Sequence, residues 1–223
     1  MPEAVASEGA DTAALERLVH ENAGGPVQGV EYRHVARWEL ETIATEIDTP
    51  DLVPEALALY DEIIQDSMIK FRELATVASA ALYIAARQTQ APITQRTIAN
   101  AGHTTSHQLG RLVTDLQREL NLVVLPPPPT AYLDHIQHEL NLPPDARTKA
   151  AELVRGTLEA TPTIQSGRSP AIIAAASMYH ICTHDQYRRT QQAVAAAADV
   201  NTNALRDIYQ HQTTIDHLPH TTH

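Results

Sequence analysis

The chain has 223 residues, 43% of them hydrophobic, which is enough for one large domain or two of about a hundred residues, each with a proper core. One Trp, one Phe and seven Tyr leave that core to Ala, Leu, Ile and Val, while the single cysteine, Cys182, excludes an intramolecular disulfide framework and any zinc ribbon, finger or knuckle needing two thiolates. The formal charge of −11 weighs against nucleic acid as a partner, and the lack of a long apolar run or a basic, apolar leader weighs against secretion and membrane spanning, so the expected location is cytoplasmic.

Residues 1–30 set Glu3, Glu8, Asp11, Glu16 and Glu21 against Arg17 alone and contain Gly24-Gly25-Pro26, which predicts a flexible acidic arm. The alternative is an amphipathic turn around Ala14, Leu15, Leu18 and Val19 that forms against a partner. Beyond the arm, apolar residues recur every three or four positions with no sustained alternation, so helices are predicted near 34–47, 52–66, 73–88, 94–101 and 105–121. A second set follows near 130–141, 146–160, 169–184, 190–198 and 202–216. In each set the third helix is apolar almost all round and belongs at the centre of its bundle. Pro54 and Pro170 suit first helical turns, and Thr94 and Thr190 suit N-caps. The fold expected is all-α: two tandem five-helix repeats over 31–124 and 130–218, a proline linker at 125–129, and a tail at 219–223.

Sliding the chain against itself by 96 residues supports the duplication. Arg72–Ala85 lies over Arg168–Ile181 with identities at Arg72/Arg168, Ala75/Ala171, Ala78/Ala174, Ala80/Ala176 and Tyr83/Tyr179. Thr94–Gly102 lies over Thr190–Ala198 with identities at Thr94/Thr190, Gln95/Gln191, Ala99/Ala195 and Ala101/Ala197, and Leu109 then meets Leu205.

The fourth and fifth helices of each set are joined by a few residues, the layout of a helix-turn-helix whose second helix can enter a major groove. In the second set Val194, Ala197 and Leu205 are expected inward and Val200 in the turn, leaving Asn201, Thr202, Asn203 and Arg206 at the exposed helix tip. Asn can bond adenine in two places, Arg can bond guanine, and Thr can meet a thymine methyl. Arg188 and Arg189 are placed to take phosphate. The first set offers Thr104, Thr105, Ser106, His107, Gln108 and Arg111, a weaker reading surface. Against this stands the ordinary use of Thr and Asn as helix caps.

Local charge favours contact with DNA more than the total does. Arg96, Arg111 and Arg118 face only Asp115 over 94–118, and Arg188, Arg189 and Arg206 face Asp199 and Asp207 over 186–211. Only Lys70 and Lys149 are lysines. An acidic, lysine-poor chain suits a cytoplasm of molar potassium salt, although a GC-rich genome accounts for the arginine bias equally well. At about 1 M salt the Debye length falls to about 3 Å, which removes most of the long-range repulsion.

The stretches SGRSPAIIAAASMYHI (Ser166–Ile181) and RRTQQAVAAAADVNTNALRDIY (Arg188–Tyr209) resemble the second cyclin-like repeat of the transcription factor IIB family, its archaeal members above all. ASAALYIAARQTQAPITQRTIANAG (Ala78–Gly102) and GRLVTDLQRELNLVVLPPPPTAYLDHIQHELNL (Gly110–Leu142) look like the matching first repeat and the segment between repeats. The likeness runs over about 31–216. It implies two cyclin-like repeats that grip a TATA-binding protein on promoter DNA, with the second repeat reading an element upstream of the bent box. Carried over by position, the reading role falls on Asn201, Thr202, Asn203 and Arg206, with Gln191 near phosphate.

Three departures from the family pattern stand out. Asp207 and Ile208 occupy places usually polar or basic, Phe71 replaces the glycine before the first-repeat arginine, and no N-terminal zinc ribbon or reader segment is recognisable. The resulting expectation is a divergent regulator of initiation, reaching RNA polymerase through another factor if at all, and associated with the nucleoid. The alternative is a cyclin-fold protein-interaction module that binds no DNA. An enzyme is disfavoured, since there is no phosphate-binding glycine loop, no nucleophile elbow and no paired carboxylates, and no cofactor is expected. His180 and His184 share a helix face while Cys182 points away, His135 and His138 form only a pair, and His217, His220 and His223 lie in the tail, so no metal site is expected. His180 is expected to be partly buried and His184 to lie at the helix end. Any affinity for DNA through His107 or His211 should rise as pH falls toward 6.

Overall fold

The computed structural model describes residues 30–65, 74–185 and 187–216. The expected acidic arm, Phe71, Arg72 and the histidines of the tail lie outside the described residues. What is described is helical throughout, with three short 3-10 turns at Pro50–Leu52, Pro129–Tyr132 and Pro162–Gln165. The first unit holds α1 (Val30–Glu46), α2 (Val53–Gln65), α3 (Leu74–Gln88), α4 (Gln95–Ala101) and α5 (Ser106–Glu119). The second holds α6 (Leu133–Glu139), α7 (Pro144–Ala160), α8 (Pro170–His184), α9 (Gln191–Ala197) and α10 (Thr202–Asp216). Residues 90–94 group with the second unit rather than the first.

Each unit is organised around its third helix. In α3 the residues from Thr76 to Leu82 are all buried, and α1, α2, α4 and α5 pack against it. In α8 the burial takes in Pro170, Ala171 and Ile173 to Met178, with α6, α7, α9 and α10 around it. Alanine on several sides of a helix lets neighbours approach closely, so the remaining helices cover the hub with single apolar stripes. Those stripes are Leu40, Ile43 and Ala44 on α1, Leu109, Leu112, Val113 and Leu116 on α5, and Leu205 and Ile208 on α10. They follow the three-and-four spacing read from the sequence.

Helix ends follow local chemistry. Pro54, Pro144 and Pro170 sit in first turns, where a missing N–H costs nothing. The Thr190 hydroxyl accepts from the Ala193 N–H, capping α9. The helix expected from 130 begins later, at Leu133, because Pro129–Tyr132 forms a 3-10 turn first. Left-handed residues stop several helices: Asn121 at φ 50° ends α5 and Asn141 at φ 47° ends α6, each followed by an N–H bonded back to the helix. His103 at φ 49° and Asp199 at φ 50° do the same after α4 and α9, and these two positions are 96 residues apart. The bend between the fourth and fifth helices is thus closed in the same way in both units.

Gly102 precedes the bend after α4 at a point of very close approach. A Cβ there would lie 2.0 Å from Ser79 Oγ, 3.1 Å from Ile43 Cδ1 and 3.2 Å from the Ile98 carbonyl. Ser79 is fully buried on the hub, so the clash has no route to solvent. Gly102→Ala is expected to cost about 1–3 kcal/mol in urea denaturation, with part of the loss recovered when Ser79→Ala is added in the same chain.

Candidate nucleic-acid interface

The expected helix-turn-helix of the second unit falls on α9, the bend at Asp199 and α10. Val194, Ala195, Ala198, Leu205 and Ile208 are buried beneath it, while Ala197 and Val200 are half-buried. Ile208 therefore belongs to the core and does not face a groove, so its departure from the polar family pattern is a matter of packing. Asp207 is exposed beside it. The segment leading into α9 is fastened to α7: Lys149 pairs with Asp185, and the Tyr187 hydroxyl donates to Asp145 at 3.1 Å. That contact holds the Tyr187 phenol above its usual range, behind the larger effect of its partial desolvation.

The residues singled out in the second unit divide by role. Arg189 does not reach out for phosphate: its Nε and Nη2 donate to the Leu140 carbonyl at 3.1 and 2.7 Å, and its Nη1 donates to the Tyr187 carbonyl at 3.0 Å. It ties the entry of α9 to the end of α6. Arg188 is exposed beside it, at φ 50°. Asn201 is the N-cap of α10, its Oδ1 accepting from the Asn203 N–H at 2.8 Å, which commits one of that oxygen's two lone pairs to the helix end. Thr202 is half-buried, whereas Asn203 and Arg206 are exposed on the first turns of α10. Arg206 Nε donates to Gln191 Oε1 at 3.3 Å, which brings together two of the expected residues across the bend.

The matching α4, bend and α5 of the first unit have the same frame with different chemistry. Thr105 caps α5 in a full capping box with Gln108, its hydroxyl accepting from the Gln108 N–H at 3.1 Å. Thr104 bonds Thr76 on the hub at 3.1 Å, and Ser106 is half-buried with its carbonyl accepting from the Gln95 amide. His107 and Arg111 are exposed, and with Thr114 and Arg118 they line one face of α5. Beneath the bend, burial pushes the Glu39 carboxyl above its usual range, partly countered by the nearby His103. Gly110 stands 96 residues before Arg206, and a Cβ there would meet Gln95 Nε2 at 2.7 Å. Where the first unit folds Gln95 down over a bare glycine, the second projects a guanidinium that Gln191 steadies.

His103 stands exposed in the bend after α4, and His107 is exposed on α5. His180 is buried and stacks on the exposed His184 with ring centroids 4.3 Å apart, and His211 Nε2 lies 3.0 Å from Thr161 Oγ1. His211 is thus a tether between α10 and the end of α7, leaving His107 as the exposed one of the two expected to meet DNA. Cys182 is buried, and burial pushes its thiol up to about 11. Among the described residues no group of three or more His, Cys, Asp or Glu is arranged to hold a metal, and no helix is long and apolar enough to cross a membrane.

Sequence reasoning paired Arg188 with Arg189 because adjacent arginines look alike; the carbonyls at the end of α6 that occupy Arg189 carry no sequence signal. The two side chains have separable consequences. Arg189→Ala is expected to cost about 1.5–3 kcal/mol in thermal or urea unfolding, because its charged hydrogen bonds are lost, whereas Arg188→Ala stays within about 0.5 kcal/mol of the parent.

Comparison with known proteins fixes the family. A family model described as the transcription factor TFIIB repeat matches residues 34–119 and again 126–215. Curated relatives named transcription initiation factor IIB include that of Methanococcus maripaludis, 34% identical over 181 residues, which are 81% of this chain and 52% of that protein. The factor of Methanothermococcus thermolithotrophicus gives the same identity and coverage. That of Methanocaldococcus jannaschii is 33% identical over 81% of this chain and 26% of its own. The chain spans about half the length of most of these relatives. A solved viral cyclin from herpesvirus saimiri overlaps 90% of this chain and 96% of its own at 15% identity and a TM-score of 0.38. The repeat model falls once on each five-helix unit, and the chain accordingly belongs to the TFIIB family of transcription initiation factors, with two TFIIB repeats.

Proposed function

We propose that the two repeats bind a TATA-binding protein seated on promoter DNA, that the tip of α10 reads a base-pair edge, and that α5 of the first repeat follows phosphate. The observation that carries this reading is the asymmetry between otherwise matched tips. Arg206 projects beside Gln191 and near Asn203 in the second repeat, at the place where the first has Gly110. Asn and Arg are the side chains suited to bidentate bonds with adenine and guanine, and an exposed row of His107, Arg111 and Arg118 suits a sugar-phosphate backbone. Arg188 joins the phosphate contacts, and Arg189 supports the surface from behind. The division into repeats at 31–124 and 130–218 around a linker at 125–129 is part of the same reading.

Electrostatics decides the conditions under which this works. The −11 charge repels DNA at low ionic strength, and screening at molar salt confines the interaction to the local basic groups of the tips. The protein is then a factor of the nucleoid that adds to an assembled complex rather than searching DNA alone. The regulatory part of the proposal is a divergent regulator of initiation that reaches polymerase through another factor. Robust transcription with this polypeptide as the sole factor B in a reconstituted system would overturn the regulatory part.

Binding itself is checked by gel shift of a promoter duplex with TATA-binding protein, at low and at molar potassium chloride. A supershift that strengthens or holds at molar salt is expected. Asn203→Ala with Arg206→Ala should cost about 1–3 kcal/mol per lost bidentate contact, roughly 5- to 150-fold each, while Arg189→Ala retains the preference among base-substituted sites. No supershift under either condition would leave the protein-interaction module as the better account.

A further inference from the structure

The buried stripe of α10 runs Leu205, Ile208, Gln212. At the offset of 96 residues the first repeat has Leu109, Leu112 and Leu116, all buried. On the hub helices the same offset sets Ser177 against Ala81, both without exposure. Two apolar positions of one repeat are therefore polar in the other, and the two polar side chains meet. Gln212 Nε2 donates to Ser177 Oγ at 2.7 Å and to Thr157 Oγ1 at 3.2 Å, and the Thr157 hydroxyl donates in turn to the Leu153 carbonyl at 2.7 Å. Among the described residues no hydrogen-bond donor reaches Gln212 Oε1, so its carbonyl is desolvated without return.

For stability alone this is a poor choice, because a leucine over alanine fills such a site with no polar group to satisfy. What the amide adds is direction. A leucine among small side chains tolerates rotation and sliding of its helix, whereas two donors aimed at two fixed hydroxyls on α8 and α7 accept one rotation and one height. His211, on the next residue, fastens α10 to Thr161 by a separate contact.

We infer that Gln212 is a positioning residue, setting the register of α10 on α8 so that Asn203 and Arg206 meet DNA in a single pose. The inference rests on the reading of α10 as the DNA-reading helix. Asn203 lies about 13.5 Å along the helix from the amide, a span of rigid helix that carries a register set at one end to the other.

Gln212→Leu with Ser177→Ala rebuilds the first repeat's pair inside the second and keeps the volume filled. Hydrogen exchange of the full chain, with α8 amides as internal reference, is expected to quicken by about threefold or more in α10 alone. Discrimination between matched and base-substituted promoter should fall by about fivefold or more, with affinity for non-specific duplex unchanged. Thr157→Val, which removes one acceptor, should give a smaller effect of the same kind. Unchanged exchange in α10, or an equal rise in α8 and α10, overturns the inference, as does a loosened α10 with discrimination intact. If the parent chain itself fails to discriminate, the reading of α10 as DNA-binding is lost, while the exchange comparison still decides whether Gln212 fixes the helix.

Discussion

Close approach to an alanine-rich hub is the constraint on which everything else in this protein depends. Ala78, Ala80, Ala81 and Ala85 in α3, and Ala171, Ala174, Ala175 and Ala176 in α8, have no exposure at all. With so little side chain between helix axes, neighbours cannot shift without opening voids or colliding, and at Gly102 even one methyl group meets a buried hydroxyl. The bend of each helix-turn-helix is seated against this hub, so its geometry is inherited from packing rather than from loop composition. That is why His103 and Asp199, chemically unlike, take the same left-handed conformation.

The same constraint explains what could be read from the sequence. Ten helices, their hubs and the 96-residue duplication were legible because burial around an alanine-rich helix leaves a periodic signature, and most boundaries fall within a residue or two of those expected. Individual polar side chains were less legible, because their roles depend on acceptors distant in sequence. Arg189 looks like a phosphate ligand until Leu140, 49 residues earlier, is placed against it. Asn201, singled out as a reading residue, also serves as a cap through its oxygen and the Asn203 N–H, a role already marked by its position just ahead of a helix. Ile208 departs from a polar family pattern for a plain reason, since the residue lies under the helix rather than on its exposed side.

Duplication followed by divergence has left the two tips with different capacities. The frame is conserved between repeats within this one chain: a threonine or asparagine caps the fifth helix, a left-handed residue closes the bend, and a glutamine starts the fourth helix. Upon that frame Gln95 donates to the Ser106 carbonyl over a glycine, and Gln191 accepts from Arg206. One glutamine is used to close the structure, the other to hold a side chain outward. A steadied guanidinium loses less freedom when it engages a base than a free one does, so the same residue type serves structure in one repeat and presentation in the other.

The net charge then limits how such a tip is used. With −11 spread over 223 residues, long-range attraction cannot bring the protein to DNA, and the basic groups of α5 and α10 act only at contact distance. On the proposed reading, affinity comes from a surface already assembled on the promoter, and α10 contributes discrimination rather than grip. For discrimination the decisive quantity is pose, because a bidentate bond misdirected by an ångström loses most of its preference for one base while a phosphate contact loses little. If α10 reads DNA as proposed, a buried amide in place of a leucine, at some cost in stability, is a reasonable exchange for a helix that must arrive at the same angle every time.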